Sequence, residues 1–243
     1  MNENRKEELI NVFADRGFHI SDEQALSLIF YYEAVCERNK EMNLTAITEW
    51  EEFLHKHILD SISLGLFIND LNSVPYSLID VGTGAGFPGI PLKIVYPSMK
   101  VTLLDSLKKR TDFLNEVIGQ MKLKDIIAIH GRAEDFGKDP SYREKYDFAV
   151  SRAVAKMDIL SEICIPFIKA GGIFAAYKTA DCKDELEDAK EIIEILGGKT
   201  NSTDHCSYEI EGFDIEREIF FIKKEKLTPG RYPRRPGKTG RKS

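Results

Sequence analysis

Between Leu78 and Ile94 the chain reads LIDVGTGAGFPGIPLKI: Asp80, then glycines at 82, 84, 86 and 89, with prolines at 88 and 91. Glycine adopts left-handed backbone at no steric cost and lets a ligand approach main-chain atoms without meeting a Cβ. Nineteen residues past Gly86, Asp105 closes the apolar run VTLLDS. A carboxylate there can accept both hydroxyls of a ribose. A third apolar run leads into GRAEDF, which puts Ala133 and Glu134 where an adenine ring would pack. A fourth, DFAVSRAVA, ends on Arg152. Together these residues describe a nucleoside site at one edge of a sheet.

Three ligand classes compete for the glycine turn. A Walker loop ends in Gly-Lys-Ser/Thr, and GFPGIP has no lysine, which excludes a phosphate-gripping nucleoside triphosphatase. Gly84, Gly86 and Gly89 satisfy G-x-G-x-x-G, the weak fingerprint of a dinucleotide fold. Asp80, Gly82, Gly84 and Gly86 satisfy acid-x-Gly-x-Gly-x-Gly, the pattern of an S-adenosylmethionine loop. An acid at the lip of the strand repels a pyrophosphate, which prefers free backbone donors at a helix start. It tolerates the cationic amino-acid end of the sulfonium ligand. Asp105 suits either cofactor and does not choose between them.

The elements that must hold these residues are an alternation. Short apolar runs at Leu78–Val81, Val101–Leu104, Ile126–Ile129, Phe148–Val150 and Ile173–Tyr177 are separated by helical patterns over Arg110–Met121, Met157–Ile168 and Asp184–Leu196. That order predicts an α/β fold with a mostly parallel sheet and helices on both faces. Ligands of such sheets sit at the strands' carboxyl ends. Cys206–Ile210 and Glu218–Lys223, joined by a turn over Glu211–Asp214, predict a C-terminal antiparallel hairpin at the sheet's end. Pro88 suits the first helical position after the turn. Residues 1–72 carry only helical patterning and form an N-terminal extension. Ser21 with Gln24, and Thr48 with Glu51, have the spacing of capping boxes. Residues 73–226 form the cofactor domain, and 227–243, with three Pro, three Gly and no apolar period, read as a flexible basic tail.

Charge is divided between body and tail. The whole chain of 243 residues carries −6. Lys223–Ser243 holds nine Lys/Arg against Glu225, a net +8, and leaves −14 for the rest. The tail, and not the bulk surface, is the part suited to a polyanion. The four cysteines are scattered, with no CxxC and no clustered His. That pattern predicts neither a metal site nor a disulfide framework. With no apolar signal region and no apolar run of about eighteen residues, a cytoplasmic protein away from the membrane is expected.

DVGTGAGFPGIPL, LLDSLKKRTDFL, GRAEDF, SRAVA and the terminal RYPRRPG together resemble the bacterial small-subunit ribosomal RNA guanine-N7 methyltransferases, the glucose-inhibited division protein B family. NKEMNLTAI (Asn39–Ile47) and HKHILDSI (His55–Ile62) fit it too. Phe87-Pro88-Gly89 is the most specific part, since methyltransferases in general share only the glycines. The resemblance implies a Rossmann-like class I methyltransferase that uses S-adenosyl-L-methionine to methylate N7 of one guanine in the decoding-region loop of 16S rRNA. It implies cofactor contacts at Gly82, Phe87, Ala133, Glu134 and Arg152, with Asp105 and Ser106 at the ribose. The partner implied is 16S rRNA in the small subunit or its assembly intermediate, met by a monomer.

The residues are consistent with that chemistry. Guanine N7 has a lone pair and no proton at neutral pH, so attack on a sulfonium methyl needs no general base. Alignment of the reacting atoms can supply roughly 7–11 kcal/mol of the barrier. The chain lacks the Asn/Asp-Pro-Pro-aromatic box used on exocyclic amines. It also lacks a Pro-Cys nucleophile of the pyrimidine C5 type. Arg152 is the residue expected to hold the cofactor carboxylate, or a phosphate or O6 of the target base. His57 and Asp60, three apart and sharing a helical face with Phe53, suit a catalytic pair or a buried pair anchoring the N-terminal helices to the sheet; the second is favoured because N7 has no proton to remove. Asn39 and Asn43 suit a loop contact or RNA. Lys178 is expected at phosphate or as an exposed lysine. Lys108, Lys109 and Arg110 make a solvated helix start or an RNA grip. In the tail, Arg231, Arg234 and Arg235, with Tyr232 between, are expected to bind rRNA phosphates and stack a base. Two rival functions are a nicotinamide oxidoreductase on the overlapping glycine motif, and a non-catalytic ribosome-binding factor that keeps the fold.

Overall fold

The computed structural model describes residues 2–68, 71–152, 155–179, 183–200, 205–210 and 215–235. Helices α1 (Asn2–Asp15) and α2 (Asp22–Met42) come first. Ser21 and Gln24 form the expected capping box, and Asn43 closes α2 in left-handed backbone at φ 48°. Then α3 (Trp50–Phe53) runs into a π-helical turn, Leu54–Leu59, followed by α4 (Asp60–Ile62). The second capping box is absent. The cap of α3 is Glu49, no side chain satisfies it, and the Thr48 carbonyl instead accepts the Tyr32 hydroxyl at 2.9 Å.

Strands and helices then alternate: β1 (Ser77–Val81), α5 (Gly89–Val95), β2 (Lys100–Asp105), α6 (Lys108–Gln120), β3 (Ile126–His130), α7 (Ala133–Phe136), β4 (Tyr146–Arg152), α8 (Met157–Cys164), β5 (Ile168–Thr179) and α9 (Lys183–Ile195). Pro88 caps α5 and is not its first residue. A two-residue β6 (Gly198–Lys199), β7 (His205–Ile210) and β8 (Ile215–Lys224) complete one sheet of order β3-β2-β1-β4-β5-β8-β6, with β7 also on β8. The first five strands are parallel. The expected hairpin forms between β7 and β8. Its second strand inserts beside β5, antiparallel, and begins earlier than the apolar run suggests. The turn over 211–214 lies outside the described residues.

Both faces of the sheet are buried. Leu78, Val101 and Leu103 join a core built with α2, α4, α5 and α6, while Ile79, Val81 and Leu104 join one built with α8 and α9. This is why the central strands read as unbroken apolar runs. The helices before residue 72 therefore share a core with the sheet. The Gln24 amide donates to the Ile94 and Val95 carbonyls at 2.9 and 3.0 Å, capping α5 from α2.

Candidate active site

The glycine turn follows β1. Gly82, Gly84 and Gly86 have φ of +73°, +61° and +108°, the left-handed backbone that the motif predicts. The amides of Gly82 and Thr83 donate to the Leu104 carbonyl, tying the turn to β2. A Cβ at Gly84 would meet nothing nearer than the Gly82 oxygen at 4.0 Å, so this residue faces open space. A Cβ at Gly86 would meet the Tyr31 hydroxyl at 2.8 Å and Leu114 Cδ2 at 2.9 Å. That hydroxyl donates to the Ala85 carbonyl at 2.7 Å, so α2 braces the turn from behind.

Asp80 lies fully buried beneath the turn. Its Oδ2 accepts from the Thr83 hydroxyl at 2.7 Å and the Gly89 amide at 2.9 Å, while Oδ1 is buried with no hydrogen-bond partner. Burial pushes the carboxyl up to about 7, against the opposing effect of those two bonds. The folded protein therefore retains a proton that the unfolded chain releases from about pH 4 upward. This group's contribution to stability falls as pH rises from about 4 to 7 and is smallest above that window. Asp80→Asn removes the slope. Thermal melts without cofactor should show the variant gaining on wild type between about pH 5 and pH 8. A pH-independent difference would contradict the buried carboxyl's role.

Asp105 ends β2 as expected, but its oxygens are already engaged. Oδ2 accepts the Gly84 amide at 2.9 Å and Arg110 Nη1 at 3.4 Å, and Oδ1 accepts the Leu107 amide at 2.8 Å. Arg110 thus belongs to the nucleoside edge. Lys108 pairs with Asp112 on the surface. Ser106 is exposed next to Asp105, and its carbonyl lies 3.2 Å from His130 Nε2. Ala133 and Glu134 are half-buried in the first turn of α7, where helix amides lack intrahelical acceptors.

Arg152 is less available than its place at the end of β4 suggests. Its guanidinium donates to Asp60 Oδ2 at 2.7 Å, to the Lys56 carbonyl at 3.1 Å and to His57 Nδ1 at 3.1 Å. It also lies 4.8 Å over the Phe87 ring, which stacks on His57 at 4.4 Å. Phe87 is therefore a buried link between the glycine turn and the π-helical segment. His57 Nδ1 lies 3.1 Å from Arg152 Nη2, which can only donate, and 3.2 Å from the Lys56 carbonyl, which can only accept, while Nε2 lies 2.8 Å from the Thr45 hydroxyl. Burial, then the neighbouring Arg152 charge, lowers the imidazole to about 3, so it is neutral. Asp60 also accepts the Tyr208 hydroxyl at 2.7 Å and approaches Arg217 Nε at 3.4 Å. His57 and Asp60 anchor the N-terminal helices to the sheet, through an arginine 92 residues beyond Asp60. Asn39 holds a loop, its side chain bonding both the Thr45 amide and carbonyl at 2.9 Å.

Beside this network, at the carboxyl ends of β4 and β5, opens a cleft of about 460 Å³. Lys56, His57, Arg152, Lys156, Lys178 and Arg217 line it. Val150 is the register partner of Asp80, so Arg152, two residues further on, brings the cleft to the same sheet edge as the glycine turn. Lys178 is not an exposed lysine: its ammonium is buried against the Ala155 carbonyl and Glu185 Oε2, both at 2.7 Å. Thr45, Arg217, Tyr208 and Glu185 have no local motif that marks them, since each enters through partners distant in sequence.

The C-terminal segment departs most from expectation. Residues 227–235 are fastened to the body. Arg143 donates to the carbonyls of Thr228 and Tyr232 at 2.6 and 2.8 Å, Tyr232 is buried, and Arg234 clamps the fully buried Glu162. Arg234 Nε and Nη2 reach that carboxylate at 2.9 and 2.6 Å, so this arginine has a structural role and is not free for phosphate. Arg231 and Arg235 are exposed. Residues 236–243 lie outside the described residues. Arg234→Ala should cost about 2 kcal/mol in urea unfolding, from loss of charge-assisted bonds to Glu162. Removal of 236–243 alone should leave stability unchanged, which makes it the cleaner deletion for testing RNA contact. Equal stability of Arg234→Ala and wild type would return Arg234 to the surface.

Among the described residues no helix is long and apolar enough to cross a membrane. The family model GidB, rRNA small subunit methyltransferase G, matches residues 24–218. The chain is 51% identical over 222 residues to the ribosomal RNA small subunit methyltransferase G of Acetivibrio thermocellus, covering 91% of this chain and 89% of the relative. It is 46% identical to that of Alkaliphilus metalliredigens, covering 93% of each. Among solved structures, M. jannaschii TYW2 in complex with AdoMet matches with a TM-score of 0.53 at 18% identity, over 69% of this chain and 76% of that one. The M. jannaschii fibrillarin pre-rRNA processing protein matches at 0.52 and 20%, over 71% and 76%. At such identities the two structures speak for a shared Rossmann-like methyltransferase fold alone. A glycine turn at the carboxyl edge of a parallel sheet, opening on a cationic cleft, is thus found in a chain that belongs to the GidB family of rRNA small subunit methyltransferases.

Proposed function

We propose that the chain transfers a methyl group from S-adenosyl-L-methionine to N7 of one guanine in small-subunit rRNA. The residues present fit that cofactor. The buried Oδ1 of Asp80 has no partner in the protein, a cationic ligand at the turn would favour the ionised form of this carboxyl, and open space at Gly84 admits a ligand against the backbone. Asp105, through Oδ1, which accepts only the Leu107 amide, would hold the ribose with Ser106, while Ala133 and Glu134 would hold the adenine and Gly82 the amino-acid end. When bound, the cofactor supplies an electrophilic methyl on a sulfonium.

One observation carries the choice of N7: the imidazole lining the cleft is neutral and has both ring nitrogens engaged, Nδ1 by Arg152 and Nε2 by Thr45. Burial and the adjacent Arg152 charge disfavour the imidazolium, so this ring is ill suited to take a proton from a substrate. A target with a lone pair and no proton, such as guanine N7, needs only to be held in line. Arg152 and Asp60 act by fixing the wall against which that base is placed. Membership of a methyltransferase family turns the reading away from hydride transfer to a nicotinamide.

Incubation with labelled S-adenosylmethionine and undermodified small-subunit RNA or particles, followed by nucleoside analysis, should yield 7-methylguanosine. A different methylated nucleoside would overturn the assignment to N7. Binding without any methyl transfer would favour the non-catalytic ribosome factor.

A further inference from the structure

Five Lys/Arg side chains line the cleft, yet it also contains two carboxylates, Asp60 and Glu185. Asp60 is saturated by Arg152, Arg217 and Tyr208. Glu185 is not. Its Oε2 accepts Lys178 Nζ at 2.7 Å and the Met157 amide at 3.1 Å, and neither bond uses Oε1. Burial alone would raise this carboxyl, but Lys178 and the Met157 amide hold it below the usual carboxylate range, so it is ionised at neutral pH.

A negative charge inside an RNA site weakens binding unless it receives N–H donors from the ligand. Among the four RNA bases, only guanine presents two adjacent N–H donors on one edge, N1–H and the exocyclic N2 amino group. That edge lies across the ring from N7. A guanine with N7 turned toward the glycine turn therefore offers its donors to the far wall of the cleft. Glu185 and Lys178 line the cleft at the end of β5 and the start of α9, and β5 is separated by β4 from β1 and its glycine turn.

We propose that Glu185 selects the target base by accepting N1–H and N2–H of the guanine, with Lys178 holding the carboxylate in place. This inference rests on the guanine-N7 reading. It assigns Glu185 to recognition of the base and gives it no part in methyl transfer. A purely structural Glu185, serving to neutralise Lys178 and cap α8, would not discriminate between bases.

The test compares RNA bearing guanosine or inosine at the nucleotide that the wild-type enzyme methylates. Inosine keeps N7 and N1–H and lacks only the 2-amino group. Wild type should favour guanosine by about tenfold or more in kcat/KM, the scale of one lost hydrogen bond to a charged acceptor. Glu185→Gln should reduce that preference to within about threefold, while its calorimetric affinity for S-adenosylmethionine, which reports an intact fold, stays at the wild-type value. Glu185→Asp, which keeps the acceptor, should retain the preference even if its rate falls. Full preference in Glu185→Gln, or indifference of wild type to the 2-amino group, would overturn the proposal. No 7-methylated nucleoside on either RNA with wild type would mark failure of the guanine-N7 reading, and the proposal would fall with it.

Discussion

Gly86→Ala is expected to cost about 3 kcal/mol of stability and to lose S-adenosylmethionine binding with the turn, whereas Gly84→Ala should cost only about 1 kcal/mol and act mainly on affinity for that ligand. Both glycines have positive φ, yet their surroundings differ. At Gly86 the φ of +108° lies outside even the left-handed helical well that alanine tolerates. The added methyl would also stand 2.8 to 3.0 Å from Tyr31 Oη, Leu114 Cδ2 and Ile90 Cδ1. Tyr31 and Leu114 are fully buried, and Tyr31 is fixed by its bond to Ala85, so neither can yield without opening the core. At Gly84 φ is +61° and the methyl projects into open space. There it meets the ligand in place of the protein. Urea unfolding and S-adenosylmethionine calorimetry on the two variants separate the effects. Equal stability of the pair would contradict the tight packing behind Gly86, and wild-type affinity in Gly84→Ala would show that the turn is not the binding surface.

Arg152→Ala is expected to destabilise the protein by about 3 kcal/mol and to abolish methyl transfer. The arginine connects three elements: β4, the π-helical turn through Lys56 and His57, and the glycine turn through the face of Phe87. Its removal leaves Asp60, 2% exposed, with only Tyr208 and the longer contact to Arg217. Uncompensated burial of the carboxylate is the main cost, so adding Asp60→Asn to Arg152→Ala should recover most of the lost stability. Activity should not return with it, because the wall of the cleft still lacks its brace. A stable but inactive Arg152→Ala would instead point to direct contact with cofactor or RNA.

The backbone of the site was legible because it is encoded locally. Unbroken apolar runs announce strands buried on both faces, and the runs at Leu78, Val101, Ile126 and Phe148 each mark a strand of the sheet. The glycine turn is legible for the same reason: left-handed φ at 82, 84 and 86 is a property of single residues. Ser21 and Gln24 form their box with reciprocal bonds at the start of α2. Thr48 and Glu51 have the same spacing but do not, because α3 starts one position later, with Glu49 at its cap, and the Thr48 carbonyl accepts the Tyr32 hydroxyl.

What sequence determined by itself is therefore the order of strands and helices, the position of the glycine turn and the acids that end β1 and β2. Tertiary structure decided which charges remain available. Arg152 is committed to Asp60, Arg234 to Glu162, 72 residues away, and Lys178 to Glu185, whereas Arg231 and Arg235 stay exposed. The physical reason is that backbone conformation and burial period depend on neighbours along the chain. The availability of a charge depends on the opposite charge or carbonyl that folding brings beside it, and a basic run in a polypeptide has the same appearance whether its partners are phosphates or a buried glutamate.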